Sequence, residues 1–95
     1  MAKKKSKVDT ILDTRQTQYG LFINGATVMI KLKSVLQQHC DLVGTRFEPD
    51  QEEAMHMIVH KIGRIVNGNP DNVDSWRDIA GYATLVADRL EGNAR

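Results

Sequence analysis

The sequence lacks the features that would place the protein outside the cell or in a membrane. Its single cysteine, Cys40, allows no internal disulfide, and no apolar run approaches the roughly 20 residues of a membrane helix. The lysine-rich N-terminus has no apolar segment behind it, so it does not have the form of a secretion signal. We therefore expect an intracellular protein, and its 95 residues suffice for one domain.

Proline and the common catalytic motifs are also scarce. No proline precedes Pro49, and no β-type alternation persists along the chain. The sequence has no glycine-rich phosphate loop, and nothing in it supports a Ser or Cys catalytic triad. Apolar residues recur instead at spacings of three and four almost throughout, which predicts an all-α fold.

Charge is unevenly distributed along the chain. The net charge is +1, but four lysines lie within the first seven residues, and residues 8–95 combine nine basic with twelve acidic side chains. This pattern predicts a disordered basic tail over residues 1–7 and a single helical domain over residues 8–95. Since nucleic-acid binding usually needs a basic face, DNA binding through the lysine tail is the weakest alternative for the function.

Four helices are predicted, and together they form a small bundle. Turn and capping residues give the bounds Val8–Thr17, Leu21–His39, Pro49–Val66 and Val73–Leu90. Gly20 is expected to bend the chain, and residues 40–48 to form the longest loop. The short turn over residues 67–72, with Gly68 in a left-handed conformation, predicts that the last two helices pack as an antiparallel hairpin.

The second helix is apolar on more than one side. Its predicted buried stripe comprises Phe22, Ala26, Met29, Leu32, Val35 and Leu36. Further apolar residues lie outside this stripe, which predicts a homo-oligomer: Leu21, Ile23, Val28 and Ile30. The fourth helix has a predicted buried stripe that includes small residues: Trp76, Ile79, Ala80, Ala83, Val86, Ala87 and Leu90. Trp76 is expected to anchor the hairpin.

The predicted hairpin brings basic and acidic side chains together. Lys61 and Arg64 on the third helix can meet Asp74, Asp78 and Tyr82 on the fourth. Such a set is either an ion-pair lock for the hairpin or a site for a phosphate and a metal ion. Both interpretations stay open on the sequence alone.

Four side chains of the hairpin are candidate Mg²⁺ ligands. Glu53 and His56 share one stripe of the third helix with His60, and Arg64 lies one turn further. Asp74 and Asp78 lie four residues apart on the fourth helix. The competing interpretation is a solvated polar face, with Asp74 acting as a helix cap.

A third group of candidate residues comprises Arg15, Tyr19 and Gly20. There Tyr19 either stacks on a base or lies in the core.

Three motifs resemble a family of short uncharacterised phage and prophage proteins. They are Arg15-x-x-x-Tyr19-Gly20, Lys61-x-x-Arg64 and the run Asp74-x-x-x-Asp78-Ile79-Ala80-Gly81-Tyr82. The resemblance covers most of residues 10–90. It implies a small all-α protein of phage origin and no settled activity.

The third and fourth helices also resemble the MazG-type all-α nucleoside triphosphate pyrophosphohydrolases. That family holds Mg²⁺ with Glu-x-x-Glu on one helix and Glu-x-x-Asp on the next, and water attacks a nucleotide phosphate. Here only Glu53 and Asp78 match in kind, since His56 replaces the second glutamate. The resemblance implies a nucleotide ligand and Mg²⁺ as cofactor.

Two functions are therefore weighed ahead of DNA binding. The first is a phage-encoded accessory protein that binds a host protein in the bacterial cytoplasm without catalysis. The alternative is a metal-dependent protein that binds or hydrolyses nucleotides, with Lys61, Arg64, Tyr19, Tyr82 and Arg15 as ligand-binding residues. Whether the protein is an enzyme stays open.

Overall fold

A computed structural model describes residues 4–95, which form four helices and no strand. The helices are α1 (Lys7–Tyr19), α2 (Phe22–Val43), α3 (Pro49–Asn67) and α4 (Val73–Leu90). The all-α prediction and the antiparallel hairpin of the last two helices are confirmed. No helix in this part of the chain combines the length and apolar character that crossing a membrane requires.

Helix α1 begins at a capping box. The Ser6 hydroxyl accepts a hydrogen bond from the Asp9 backbone N–H at 3.1 Å, and the Asp9 carboxylate accepts one from the Ser6 N–H at 3.2 Å. Lys7, placed in the tail by the prediction, is thus the first helical residue. Residues 1–3 of the predicted tail lie outside the described residues.

Helix α2 is longer than predicted and shortens the loop behind it. It continues to Val43, where Gly44 adopts a left-handed conformation (φ 80°, ψ 20°) and donates its N–H to the Cys40 carbonyl. The prediction of a loop over residues 40–48 was therefore wrong for residues 40–43, which are helical. Gly44 is a helix-ending signal, because glycine enters this conformation without a Cβ penalty.

The hairpin helices start where their capping residues predict. Pro49 occupies the first turn of α3, and Glu48 and Gln51 form a capping box in front of it. The Asn72 side chain caps α4 by accepting from the Asp74 N–H at 3.1 Å. Trp76 anchors the turn through its indole N–H, which donates to the Pro70 carbonyl at 2.8 Å.

The helices form an open layer, with α3 in the middle. α3 packs against α2 on one side and α4 on the other, and within residues 4–95 α2 and α4 do not contact each other. α1 packs only lightly on α2 and α3, and the molecule measures 58 × 31 × 22 Å. Its radius of gyration of 16.6 Å exceeds the roughly 12 Å of a compact chain of this length.

Small residues bring the helices of the layer together. A Cβ at Gly63 on α3 would overlap the Met29 side chain of α2, and the small residues Ala54 of α3 and Ser75 of α4 are buried. The predicted buried stripes were partly wrong, because residue spacing alone does not show which side of a helix packs against a neighbour. Phe22 and Val35 are 83% and 62% exposed.

One polar junction ties α1 and α2 to the end of α3. The Asn67 side-chain amide donates to the carbonyls of Tyr19 and Leu21 at 2.7 and 2.9 Å. The Asn69 N–H donates to the Gln18 carbonyl at 2.7 Å. Asn67 thereby pairs the Tyr19 carbonyl, which the break between α1 and α2 leaves without a helical partner, and adds a second donor to the Leu21 carbonyl, which also accepts from the Gly25 N–H.

Two glycines allow the chain segments of this junction to approach closely. Gly20 bends the chain as predicted, with φ of 76°, and a Cβ there would overlap the Asn67 carbonyl. The left-handed prediction for Gly68 was wrong, since its φ is −136°. Gly68 is required for space, because a Cβ there would overlap the backbone of Tyr19.

The change Asn67→Ala should lower the free energy of unfolding by about 1–3 kcal/mol, since the Tyr19 carbonyl loses its donor and the Leu21 carbonyl keeps only the Gly25 N–H. Urea denaturation measures the effect. Asn24→Ala, at an exposed position on α2, is the matched control and should change stability by less than about 0.5 kcal/mol. Equal effects of the two changes would contradict the role given to Asn67.

Candidate functional site

A cleft of about 560 Å³ opens between α1, the start of α2 and the C-terminal half of α3. Its walls are mainly apolar, and α1 forms one of them with no buried residue of its own. Six of its lining residues form the candidate site: Leu12, Arg15, Tyr19, Phe22, His60 and Arg64. The volume lies within the range of small-molecule sites in proteins.

Two arginines make the cleft electropositive. The Arg64 guanidinium carbon lies 4.2 Å from the centre of the Tyr19 ring, a cation–π contact. Arg15 lies one turn before Tyr19 on α1 and lines the same cleft. None of the lining residues is an aspartate or glutamate. The cleft thus offers positive charge in apolar surroundings, which suits an anion.

The junction at Asn67 positions these side chains. Tyr19 is the last residue of α1, and its carbonyl accepts directly from Asn67. Arg64 lies almost one turn before Asn67 on α3, so its guanidinium reaches back over the Tyr19 ring. The same junction that fixes the angle of α1 therefore fixes the contact between the two halves of the cleft.

His60 lies one turn before Arg64 and also lines the cleft. Burial lowers the pKa of His60 below its usual value, and the positive charges of Arg64, Lys61 and Lys33 lower it further. The imidazole is consequently neutral near pH 7. A negative ligand would offset these charges and raise the pKa of His60.

In Arg64→Gln, the pKa of His60 should rise toward the usual histidine value, because one repelling charge is removed. A ¹H–¹³C NMR titration measures it, with Arg77→Gln on exposed α4 surface as control. In the native protein the pKa of His60 is lower in the folded state than in the unfolded chain. The free energy of unfolding should therefore increase with pH between these two pKa values. A His60 pKa that does not respond to Arg64→Gln would contradict this electrostatic coupling.

Over residues 4–90 the sequence matches the model of a family described as a domain of unknown function, DUF6378. The chain belongs to this family. No curated protein and no solved structure matches this chain. The family match confirms neither the resemblance to the phage proteins nor the resemblance to the MazG-type hydrolases, so both stay predictions.

The structure divides the predicted phosphate-binding residues of the hairpin between two places. The Lys61 ammonium lies 2.9 Å from Asp78 Oδ2, and the Lys61 side chain is only 12% exposed. Arg64 instead faces Tyr19 on α1. The structure therefore does not bring Lys61, Arg64, Asp74 and Asp78 together at one site, because neighbouring sides of α3 face different helices.

The predicted metal ligands are also dispersed. Glu53 and Asp74 are exposed, and Asp74 occupies the first turn of α4. His56 lines a small depression between α2 and α3. In the described part of the chain no three His, Cys, Asp or Glu side chains are grouped as a metal site would require.

Tyr82, a predicted ligand-binding residue, is half-buried on α4 and does not line the cleft. In the structure, three of the five predicted ligand-binding residues line the cleft: Arg15, Tyr19 and Arg64.

Two residues that line or hold the cleft were not among the predicted ligand-binding residues. His60 was predicted on one stripe of α3 with Arg64, but that stripe was interpreted as a metal site or as a solvated polar face. Asn67 was assigned to a turn only. An asparagine before glycine is typical of a turn, and its bonds to residues 46 and 48 positions earlier leave no signal in the sequence.

Proposed function

We propose that the protein binds a small anionic molecule with a flat aromatic part, of the nucleotide class, in the cleft between α1, α2 and α3. The observation that carries the proposal is the convergence of Arg15, Arg64 and His60 in an apolar cleft without a carboxylate. Binding is the proposed activity, since the carboxylates of the hairpin lie outside the cleft.

The arginines are the proposed contacts for phosphate. Guanidinium groups bind phosphate oxygens through two parallel hydrogen bonds, and apolar surroundings strengthen such bonds. Arg64 is already oriented by the Tyr19 ring, so it loses little conformational freedom when it binds. His60 would gain a proton as phosphate charge enters.

The apolar wall is the proposed contact for the aromatic part of the ligand. Leu12 and Phe22 are 54% and 83% exposed, and both line the cleft. The Phe22 ring can stack on a base, which protects apolar surface on both partners from water. A plain inorganic anion would leave this wall uncovered, which favours a nucleotide.

Isothermal titration calorimetry with ATP, GTP, dTTP and inorganic triphosphate, each with and without MgCl₂, tests the proposal. At least one nucleotide should bind more tightly than triphosphate, because only nucleotides cover the apolar wall. Arg64→Gln should weaken that binding at least tenfold, which corresponds to about 1.4 kcal/mol. Binding of none of the nucleotides at millimolar concentration would overturn the proposal.

Asp78→Asn is the matched control for the hairpin. Asp78 pairs with Lys61 outside the cleft, so its loss should leave nucleotide affinity within about twofold and lower the melting temperature. The MazG-type alternative, with Asp78 as a Mg²⁺ ligand, requires the opposite: loss of Mg²⁺-dependent nucleotide binding in this variant. The comparison therefore separates simple binding from metal-dependent hydrolysis.

A phage-encoded accessory protein that binds a host protein in the bacterial cytoplasm is the second candidate. The exposed apolar rim of the cleft favours it, because Phe22 and Ile23 are 83% and 69% exposed. In that case Ile23→Asp should abolish capture of a host protein in a pull-down, whereas Arg77→Gln should not. Equal capture by both variants would contradict binding at this rim.

A further inference from the structure

We infer that a second copy of this chain covers the side of the layer opposite the cleft, so that the protein is a homodimer. This side, here called the apolar face, is formed by α2, α3 and α4 together. Its exposed large members are Val35, Leu42, Ile62, Val66, Trp76 and Leu90. The inference does not depend on the proposed ligand, because the face and the cleft lie on opposite sides of α3.

Helix α3 shows that the two sides differ in character. Residues two apart on a helix point in nearly opposite directions, about 200° apart. His60 and Arg64 line the cleft, so Ile62 and Val66 point to the other side. These two are 38% and 64% exposed, which leaves apolar surface in the middle of the layer uncovered.

Helix α2 continues the apolar face on one flank. Val28, Leu32, Val35, His39 and Leu42 follow the alternating spacing of four and three that is typical of a helix seam. Val35 and Leu42 are 62% and 80% exposed, so this seam has no complete partner within the chain. Because α2 runs antiparallel to α3 beside it, the handedness of the helix places the seam on the same side as Ile62.

Helix α4 completes the apolar face on the other flank. The same spacing joins Val73, Trp76, Ala80, Ala83, Ala87 and Leu90, all of which are exposed. Most of these residues belong to the predicted buried stripe of the fourth helix, which was wrong for them. The side of α4 toward α3 instead carries Asp78, which pairs with Lys61, and Ser75 is the buried residue of the helix. Small residues between the larger end groups of this seam permit a close approach of a helix from outside.

The accessible surface of the chain is larger than that of a compact monomer of the same mass. The accessible surface is 7469 Å², whereas a compact monomer of 10.7 kDa exposes about 5,500 Å². The excess is about 2,000 Å², part of which belongs to the protruding α1. Half of it would exceed the roughly 800 Å² that one partner contributes to a stable interface of standard size.

The charge pattern favours a second copy as the partner. A two-fold symmetric interface apposes a surface to itself, so charges of one sign on it would repel. The seams of α2 and α4 and the residues Ile62 and Val66 contain no aspartate, glutamate, lysine or arginine. His39 is their one polar member, and it lies toward the end of α2.

Sedimentation equilibrium of the full chain at 5–100 μM tests the inference. The native protein should have about twice its chain mass of 10.7 kDa. Leu42→Glu and Val66→Glu should each shift it to the monomer, since a charge would be buried against the partner. Ile30→Glu is the matched control: Ile30 is 65% exposed on the other side of α2, and the variant should remain dimeric.

Trp76 gives a second readout that needs no variant. It is the only tryptophan and is 55% exposed in the single chain, so its emission should shift to shorter wavelength as the dimer forms on raising the concentration. A native protein that stays monomeric at 100 μM would overturn the inference and leave another protein as the partner. A dimer that survives both face variants, or one whose Trp76 emission does not change, would overturn it as well.

Discussion

The side-chain amide of Asn67 is the interaction on which the arrangement of the helices depends. It donates to the carbonyls of Tyr19 and Leu21, the residues on either side of the bend at Gly20. The bend leaves the Tyr19 carbonyl without a helical donor, whereas the Leu21 carbonyl also accepts from the Gly25 N–H. A partly buried carbonyl without a donor destabilises the fold. Asn67 is the last residue of α3, so its hydrogen bonds join the bend to the middle helix of the layer.

The cleft follows from that junction. α1 buries none of its residues and packs only lightly on the other helices, so little else holds it at its angle. With the angle fixed, Arg15 and Tyr19 face Arg64 and His60 across a space of about 560 Å³. Charges of one sign in a partly dry space repel one another, and burial with these charges lowers the pKa of His60. An anion relieves both effects, which links the stability of the cleft to its occupation.

The two sides of the layer differ in charge and shape. One side combines positive charge with a shaped space, as recognition of a small ligand requires, and the other is broad, apolar and free of charged side chains along its seams. A layer one helix thick cannot bury both of its sides, because α2 and α4 do not contact each other. The proposed association through the apolar face would cover one side of the layer and leave the cleft open to solvent.

The sequence by itself determined the four helices, because spacing, caps and turn residues act over a few positions. Ser6, Pro49, Asn72 and Gly44 start or end helices through local hydrogen bonds and backbone conformation. It also identified Arg15, Tyr19 and Arg64 as binding candidates, though as members of two separate groups. Only the tertiary structure decided that these residues share one cleft, that Lys61 pairs with Asp78, and that the small residues of α4 face outward. Helical periodicity shows that a stripe is apolar, but it cannot show which neighbour the stripe faces, since that depends on contacts between residues far apart in the chain.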